Sequence, residues 1–269
     1  MKNKLFLLFT LFAGINANSQ SDLLITPFRV VFENGKNIEE LTVANTGKDT
    51  ARYTISFLQY KMLSTGKLEK IDLAEDSILF ADKYLRVFPK SITLAPNEAQ
   101  MVRLQLKTPA DLASGEYRSH LYFRSIVDET PDMGTERDTT AIGFKLVPVY
   151  GITIPVIIRI GQSQVKATTT EVKITDVNGS KQVDCKIERY GNISTFGQLE
   201  VEHTSLTGVK TLIGRVNGVA VYTPIHMRDI SIPLTIPETV DLTKGTLSLK
   251  YYSKIDGKEI YYFNQPISL

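Results

Sequence analysis

The sequence predicts an all-β protein that folds as two β-sandwich domains. Four dipeptides that favour tight hairpins lie between apolar or β-branched runs, at Asn34-Gly35, Asn178-Gly179, Asn217-Gly218 and Asp256-Gly257. Asn or Asp followed by Gly readily adopts the positive φ angles that two-residue hairpins need. Helical periodicity is nearly absent from the chain. We therefore expect antiparallel sheets throughout.

Short apolar and β-branched runs indicate the strands of the first half. Read between the turn signals, they are LLITPFRVVF, IEELTVANT, ARYTISFLQY, YLRVFP, SITLAP, QMVRLQLK, YRSHLYFRSIV and GFKLVPVYGITIPVIIRIG. About seven short strands are enough for one antiparallel sandwich. Residues 128–140, DETPDMGTERDTT, are polar and rich in turn formers, so we expect a long mobile hairpin loop there.

The strand pattern restarts at Gln164. The second set reads VKATTTEVKITDV, KQVDCKIERYG, GQLEVEHTSL, KTLIGRV, VAVYTPI, ISIPLTI, TLSLKYY and EIYYFNQPISL. The only short polar break between the two sets is residues 160–163, which predicts domains at 20–161 and 162–269. A link this short restricts the angle between the domains and leaves a cleft between them.

The first nineteen residues have the features of a secretory signal peptide. Lys2 and Lys4 precede the apolar run 5–12, and Ala17-Asn18-Ser19 supplies small residues for cleavage before Gln20. The run is shorter than the roughly 20 apolar residues that a membrane helix needs. With no cysteine near the cut site, we expect an exported, soluble protein that has no lipid anchor and no membrane span.

Composition excludes some classes of function. The chain has 31 basic and 29 acidic side chains, and removing the two signal lysines leaves 29 of each. This balance provides no basic face for binding nucleic acid. Cys185 is the only cysteine, so it cannot form an internal disulfide, and we expect a small core residue.

Candidate catalytic groups are few. The three histidines are His120, His203 and His226, and the chain has no HExxH, CxxC or GxSxG motif. His120 lies in an alternating strand, a position typical of a structural histidine whose hydrogen bonds are satisfied. The other two are too far apart for a recognised metal spacing. We expect no enzyme, no cofactor and no metal site.

Two features of the strands suggest binding. Arg29 interrupts the apolar run ITPFRVVF, where a guanidinium is costly unless it is paired. It suits two parallel hydrogen bonds to a foreign carboxylate, and equally an internal pair with an acidic residue of its own domain. Ile142, Phe144 and Leu146 share one face of a strand. That face either fills its own core or, on an exposed edge, completes the sheet of another protein.

Two stretches of the first half carry a resemblance to a known family. ITPFRVVFENGKNIEELTVANTG and LAPNEAQMVRLQLKTPADLASGEYRSHLYFR resemble the amino-terminal domain of periplasmic pilus-assembly chaperones of the PapD type. The match covers about residues 22–159, and GEYRSHLYFR is its most specific part. GNISTFG and VAVYTP resemble the carboxy-terminal domain more weakly. The resemblance implies two immunoglobulin-like β-sandwich domains in an L shape, without enzymatic activity.

The resemblance also implies partners and site residues. Such chaperones bind secreted pilus or fimbrial subunits that lack their last strand, and can deliver them to an outer-membrane usher. A basic pair in the cleft anchors the terminal carboxylate of the subunit, and Arg29 matches its first member. The strand after the long loop lends apolar side chains to the subunit, and Ile142, Phe144 and Leu146 match that strand.

One position departs from the family pattern. Arg159 matches the arginine that ends the lending strand, and counting back from it places the anchoring lysine at Pro155. Proline has no charge and no N–H donor. Lys145 replaces that lysine only if the register of the loop differs. Pro148 and Pro155 each remove a ladder donor, which favours an edge position for the strand.

The sequence thus predicts a non-enzymatic periplasmic chaperone that binds a secreted subunit by strand donation. The alternative is a structural or adhesive immunoglobulin-like protein of the envelope, because one scaffold supports many functions. The proline at the lysine position favours the alternative.

Overall fold

The computed structural model describes residues 23–33, 35–72, 78–126 and 149–267. Within these ranges the chain forms seventeen β-strands and one short 3-10 helix, Asp82–Tyr84. None of the described residues forms a helix long and apolar enough to cross a membrane. The predicted all-β class is confirmed, and the strands build two immunoglobulin-like β-sandwich domains.

The amino-terminal sandwich contains the first ten strands. They are β1 Leu23–Thr26, β2 Val30–Phe32, β3 Ile38–Asn45, β4 Ala51–Met62, β5 Leu68–Ile71, β6 Leu85–Phe88, β7 Ser91–Leu94, β8 Ala99–Leu106, β9 Gly115–Ile126 and β10 Gly151–Ile160. One sheet has the order β1-β3-β8-β6, and the other has β2-β10-β9-β4-β5 with β7 also paired to β4. Leu41, Val102 and Phe123 lie in the core between them.

The run LLITPFRVVF is divided between the two sheets, so the prediction of one continuous strand is wrong. Strand β1 pairs with β3 in the first sheet, and β2 pairs in parallel with β10 in the second. Pro27, which has no N–H for a ladder, lies where the chain crosses from one sheet to the other. Arg29 therefore lies just before β2 and not within a strand.

The carboxy-terminal sandwich contains seven strands. They are β11 Val165–Val177, β12 Ser180–Gly191, β13 Thr195–Thr204, β14 Lys210–Val221, β15 Met227–Pro233, β16 Thr246–Ile255 and β17 Lys258–Ile267. Its sheets have the orders β11-β12-β15 and β14-β13-β16-β17. Cys185 is buried in the core between them. Burial raises the pKa of its thiol to about 11, so the thiol stays protonated at neutral pH.

Two of the predicted hairpins are confirmed. Asn178 and Gly179 have φ angles of 53° and 81° and join β11 to β12. Asp256 and Gly257, at 49° and 77°, join β16 to β17 in the same way. Two successive positive φ angles are the geometry of a two-residue hairpin that matches the twist of its strands.

The hairpin predicted at Asn217-Gly218 is wrong, because both residues lie inside β14. Gly197 on β13 is opposite Val219 and Leu199 is opposite Val216, which leaves an extra residue on β14 between them. Gly218 has a φ of 68°. The dipeptide forms a β-bulge, a second structure that its positive φ permits. KTLIGRV and the first three residues of VAVYTPI consequently belong to one strand, which ends at Val221.

Several predictions lie partly or wholly outside the described residues. These are the signal peptide, Asn34 of the first turn signal, and the loop at 128–140. Strand β10 ends at Ile160 and β11 begins at Val165, on either side of the predicted link. The domain limits and the L shape stay predictions.

Candidate functional site

The candidate site lies on the face of β9 that points away from its own core. Alternate residues Tyr117, Leu121 and Phe123 pack in the amino-terminal core. The intervening residues Glu116, Arg118 and His120 are also buried, although they are polar. Successive side chains of a strand point to opposite faces, so these three form one row. Contacts with the second sandwich cover that row.

Strand register brings Arg29 into the same region. Val30 pairs with Val156, which places Arg29 beside Pro155, and Pro155 pairs with His120 on β9. Two residues further along β10, Ile157 pairs with Arg118. The position that the family motif gives to a lysine is thus flanked by Arg29 and His120.

Aromatic side chains of the carboxy-terminal sandwich cover this cluster. The guanidinium carbon of Arg118 lies 4.1 Å from the centre of the Tyr222 ring, and that of Arg29 lies 5.4 Å from it. Nη1 of Arg29 donates a hydrogen bond to the Tyr222 hydroxyl at 3.1 Å. Arg29 also lies 4.6 Å from the Phe196 ring centre. Two cations therefore share one aromatic ring at the domain interface.

Several buried nitrogens of this cluster have no hydrogen-bond partner among the described residues. They are Arg29 Nη2, Arg118 Nη1 and both ring nitrogens of His120. Arg118 uses its Nη2 to donate to the backbone oxygen of Tyr60 at 3.1 Å. A buried donor without a partner costs about 1–3 kcal/mol, and more when it is charged. The cluster therefore has donors that an anion can accept from.

The charge state of the cluster follows from burial and proximity. Burial lowers the pKa of Arg118 to about 10, and the charge of Arg29 adds to this lowering. Burial, followed by the charges of Arg118 and Arg29, lowers the pKa of His120 to about 3. At neutral pH two cationic guanidinium groups therefore lie near a neutral imidazole.

Glu116, in the same row, is already fully engaged. Its Oε2 accepts hydrogen bonds from Arg159 Nε at 3.2 Å and from the Ser194 backbone N–H at 3.0 Å. Its Oε1 accepts from the hydroxyls of Ser194 and Thr223. Arg159 also pairs with Glu33 at 2.9 Å. Arg159 thus belongs to a network that joins the two sandwiches. Glu116 forms no ion pair with Arg118, although its charge raises the pKa of Arg118 and so offsets part of the effect of burial.

Among the described residues, the outer edge of β10 is only partly paired. Strand β10 pairs with β9 over its whole length, whereas β2 pairs only with residues 156–158. No other strand of the described ranges pairs with residues 151–155 on that side. Within these ranges residues 151–155 lack a second partner, which agrees with the edge position that Pro155 favours, and β2 covers part of the second half of the strand.

The ladder of β10 shows which backbone groups face the open side. The N–H of Ser125 on β9 donates to the oxygen of Tyr150 at 2.9 Å, so Tyr150 directs its backbone toward β9. Antiparallel ladders alternate residue by residue. Gly151, Thr153 and Pro155 therefore direct their backbone groups away from β9, and this edge ends beside Arg29.

The structure places the other candidate residues as follows. Ile142, Phe144, Leu146 and Lys145 lie outside the described residues, so their roles stay predictions. His203 contacts the oxygen of Lys244 at 2.8 Å, and His226 contacts that of Arg189 at 3.4 Å. Among the residues that the structure describes, no group of His, Cys, Asp and Glu is arranged to hold a metal ion.

Sequence reasoning missed Arg118, Glu116, Tyr222 and Phe196. A signal for the first two was present, because GEYRSHLYFR alternates Glu, Arg and His with the apolar side chains of a buried strand. His120 is buried as a structural histidine would be. The expectation that its hydrogen bonds are satisfied is wrong within the described part of the chain.

No protein-family model and no curated protein matches the chain. The chain is similar to solved chaperones. The YadV chaperone has 11% identity over 92% of this chain and 100% of that one, at a TM-score of 0.46. The CsuC–CsuE chaperone-tip adhesion subunit complex of Acinetobacter baumannii gives 12% identity, 91% and 98% coverage, and a TM-score of 0.46. A chaperone-tip adhesin complex of CFA/I fimbriae gives 16% identity over 91% of this chain and 98% of that one, at a TM-score of 0.44. Because these identities and TM-scores are low, the function of this chain is inferred from its own residues.

Proposed function

We propose that this protein is a non-enzymatic periplasmic chaperone that binds incomplete secreted pilus or fimbrial subunits by β-strand addition. The observation that carries the proposal is the open edge of β10 at residues 151–155, which ends beside Arg29 and Arg118. Periplasmic location is supported by the signal-peptide features of residues 1–19. The sequence resemblance of the first half supports the class of client.

The open edge offers backbone donors and acceptors to an extended chain. Such an edge is a template for strand addition, in which main-chain hydrogen bonds supply affinity. Gly151 and Thr153 direct both an N–H and a C=O to the open side, whereas Pro155 has no N–H. The ladder with a client therefore loses its donor at Pro155, immediately before β2 occupies the edge.

The positive cluster fixes the direction of the added strand. A chain that runs parallel to β10 along residues 151–155 brings its carboxyl end to Arg29. A chain that runs antiparallel brings its positively charged amino end to the same place, where like charges repel. We therefore propose a parallel client strand whose terminal carboxylate binds at Arg29. Ile142, Phe144 and Leu146, which precede β10 in sequence, supply apolar contacts to the client in this proposal.

Substitutions at Thr153 test the proposal. Tagged wild-type protein, Thr153→Pro and Thr153→Val are expressed in the native bacterium, and bound periplasmic polypeptides are identified by mass spectrometry. Wild type and Thr153→Val retain the N–H, and we expect both to recover the same strand-deficient subunit. Thr153→Pro lacks the N–H and should lose it. Equal recovery by folded Thr153→Pro, judged from urea unfolding, would contradict strand addition at this edge.

A structural or adhesive envelope protein is the second candidate, and the absence of a lysine at Pro155 favours it. Arg118, which lies one strand away, weakens that argument because it supplies a buried positive charge nearby. Recovery of no secreted subunit by the wild-type protein would favour this second candidate.

A further inference from the structure

We propose that Arg118 is the second cation of the carboxylate anchor and that Tyr222 of the carboxy-terminal sandwich orients both arginines. This inference rests on the proposed function and adds to it two residues that the sequence motif does not supply. The anchor then consists of Arg29 before β2, Arg118 on β9 and Tyr222 of the second sandwich. The family's lysine position on β10, Pro155, does not contribute to it.

The electrostatics of the cluster call for an anion. No carboxylate of the described ranges forms an ion pair with Arg29 or Arg118. The carboxylate closest along β9, Glu116, is occupied by Arg159, Ser194 and Thr223. Two cations held against one ring repel each other, and a shared anion relieves that repulsion. His120 is neutral and adds no third charge.

The free hydrogen-bond donors match a carboxylate. Nη2 of Arg29 and Nη1 of Arg118 are both buried and have no partner within the described chain. A carboxylate has two oxygens, and each can accept a charge-assisted hydrogen bond from a guanidinium. Because neither nitrogen has a partner within the described residues, a carboxylate that reaches both would displace no hydrogen bond of that part of the chain. Arg118 is only 3% exposed, so water competes poorly for its free nitrogen.

The positions of the side chains indicate the path to this site. Arg29 is half-buried and lies at the end of the open edge of β10. Phe196 is 38% exposed and covers Arg29 on the side of the second sandwich. Rotation of the partly exposed Phe196 ring would widen the access to Arg29 while its hydrogen bond to Tyr222 stays in place. A terminal carboxylate therefore meets Arg29 first and Arg118 second.

A pair of designed peptides tests the inference. Both alternate valine and threonine and carry a fluorophore at the amino end, but one ends in a free carboxylate and the other in an amide. Binding is measured by fluorescence anisotropy with wild type, Arg118→Gln, Arg118→Lys and Tyr222→Phe. Arg103→Gln is the control, because Arg103 pairs with Glu40 on the exposed face of the other sheet.

We expect wild type and Arg103→Gln to bind the free carboxylate at least about tenfold more tightly than the amide. Arg118→Gln should reduce this preference by about tenfold, and Arg118→Lys should restore part of it. Tyr222→Phe keeps the ring but loses the hydroxyl that accepts a hydrogen bond from Arg29. We therefore expect this variant, too, to show a smaller preference for the free-carboxylate peptide over the amide. This variant serves as the test if Arg118→Gln does not fold.

The outcomes separate the two proposals. If folded Arg118→Gln keeps the full preference for the carboxylate, Arg118 is not part of the anchor, while strand addition stands. If Tyr222→Phe keeps the full preference, the proposed role of Tyr222 is overturned. If wild type binds neither peptide, the proposed function fails and this inference fails with it.

Discussion

His120 is an imidazole enclosed by two tyrosine rings and two arginines. Its ring lies 4.9 Å from that of Tyr60 and 6.5 Å from that of Tyr222, in edge-on contacts. Burial and the charges of Arg118 and Arg29 lower its pKa to about 3, from an ordinary value of 6.5. The folded protein therefore resists protonation of His120 at pH values where the unfolded chain accepts the proton.

This difference predicts a pH-dependent stability that His120→Leu removes. Between pH 6.5 and about 3 the unfolded chain binds one more proton at this residue, so stability falls as pH falls. The contribution is about 1.4 kcal/mol per pH unit. Urea unfolding of wild type and His120→Leu at pH 4.5, 5.5 and 6.5 should show the flatter dependence in the variant. Parallel curves would show that His120 takes up a proton in the folded state.

Glu116 predicts a second effect at the residue scale. Its carboxylate is fully buried and links Arg159 to Ser194 and Thr223 of the second sandwich. Glu116→Gln leaves Arg159 less well compensated, so we expect a loss of about 3 kcal/mol in the free energy of unfolding. Glu40→Gln is the control, because Glu40 pairs with Arg103 on the exposed surface and contributes less than about 1 kcal/mol. Equal losses in urea unfolding would mean that the buried network contributes no more than an exposed ion pair.

At the scale of elements, β10 combines an open half and a covered half. Residues 156–158 lie between β9 and β2, whereas residues 151–155 pair only with β9 in the described chain. Pro155 lies at the junction, where the missing N–H faces away from β9. One strand can therefore hold the sandwich together and still offer part of its edge.

Hydrogen exchange should reveal this division. In the free protein we expect fast exchange of the Gly151 and Thr153 amides and slow exchange of those of Ile152 and Ile154, because only the latter pair donates to β9. Binding of a client strand should slow the first pair. The measurement is amide exchange by NMR with and without the free-carboxylate peptide. Protection of Thr153 in the free protein would contradict an open edge.

The strands that sequence predicted best are those bounded by specific turns. Asn178-Gly179 fixes the ends of β11 and β12 because little besides a hairpin suits two successive positive φ angles. The same logic failed for Asn217-Gly218, since a bulge within a strand also accepts a glycine at positive φ. Strand β5 was missed because its sequence, LEKI, is short and half polar.

At the scale of the whole molecule, the two sandwiches share a buried polar interface. Besides the Glu116 network, the backbone N–H of Asp229 donates to the oxygen of Ser64 at 2.8 Å. Arg228 packs against Gly66 in the turn between β4 and β5, and donates to the oxygen of Ala220. The turn between β4 and β5 is therefore part of the interface between the two sandwiches.

Gly66→Ala should lower the free energy of unfolding more than Gly208→Ala does. Gly66 has a φ of 80°, and an added Cβ would overlap the Arg228 guanidinium. Overpacking and backbone strain together should cost about 2–3 kcal/mol. Gly208→Ala is the matched control, because Gly208 has a φ of 83° and open space around it, so only about 1 kcal/mol is expected. Equal shifts in urea unfolding would show that Arg228 moves aside freely.

The candidate site was only partly predictable from sequence. Arg29 was found because a charge within an apolar run is conspicuous. The partners of Arg29 were not, because Tyr222 and Phe196 come close only when two sandwiches pack across almost two hundred residues of chain. Arg118 gives only an ambiguous signal, because alternating polar residues are also typical of a strand with one solvent-exposed face, and only the packing of the second sandwich buries this face.

The burial of Cys185 allows an introduced cysteine to be labelled selectively. Its protonated, enclosed thiol should react slowly with maleimides, because the thiolate is the reactive form. A new cysteine at position 153 would then be the one that takes a dye, with no need to remove the native residue. Such a labelled protein could report in real time, by a change in emission, when a foreign chain docks along β10.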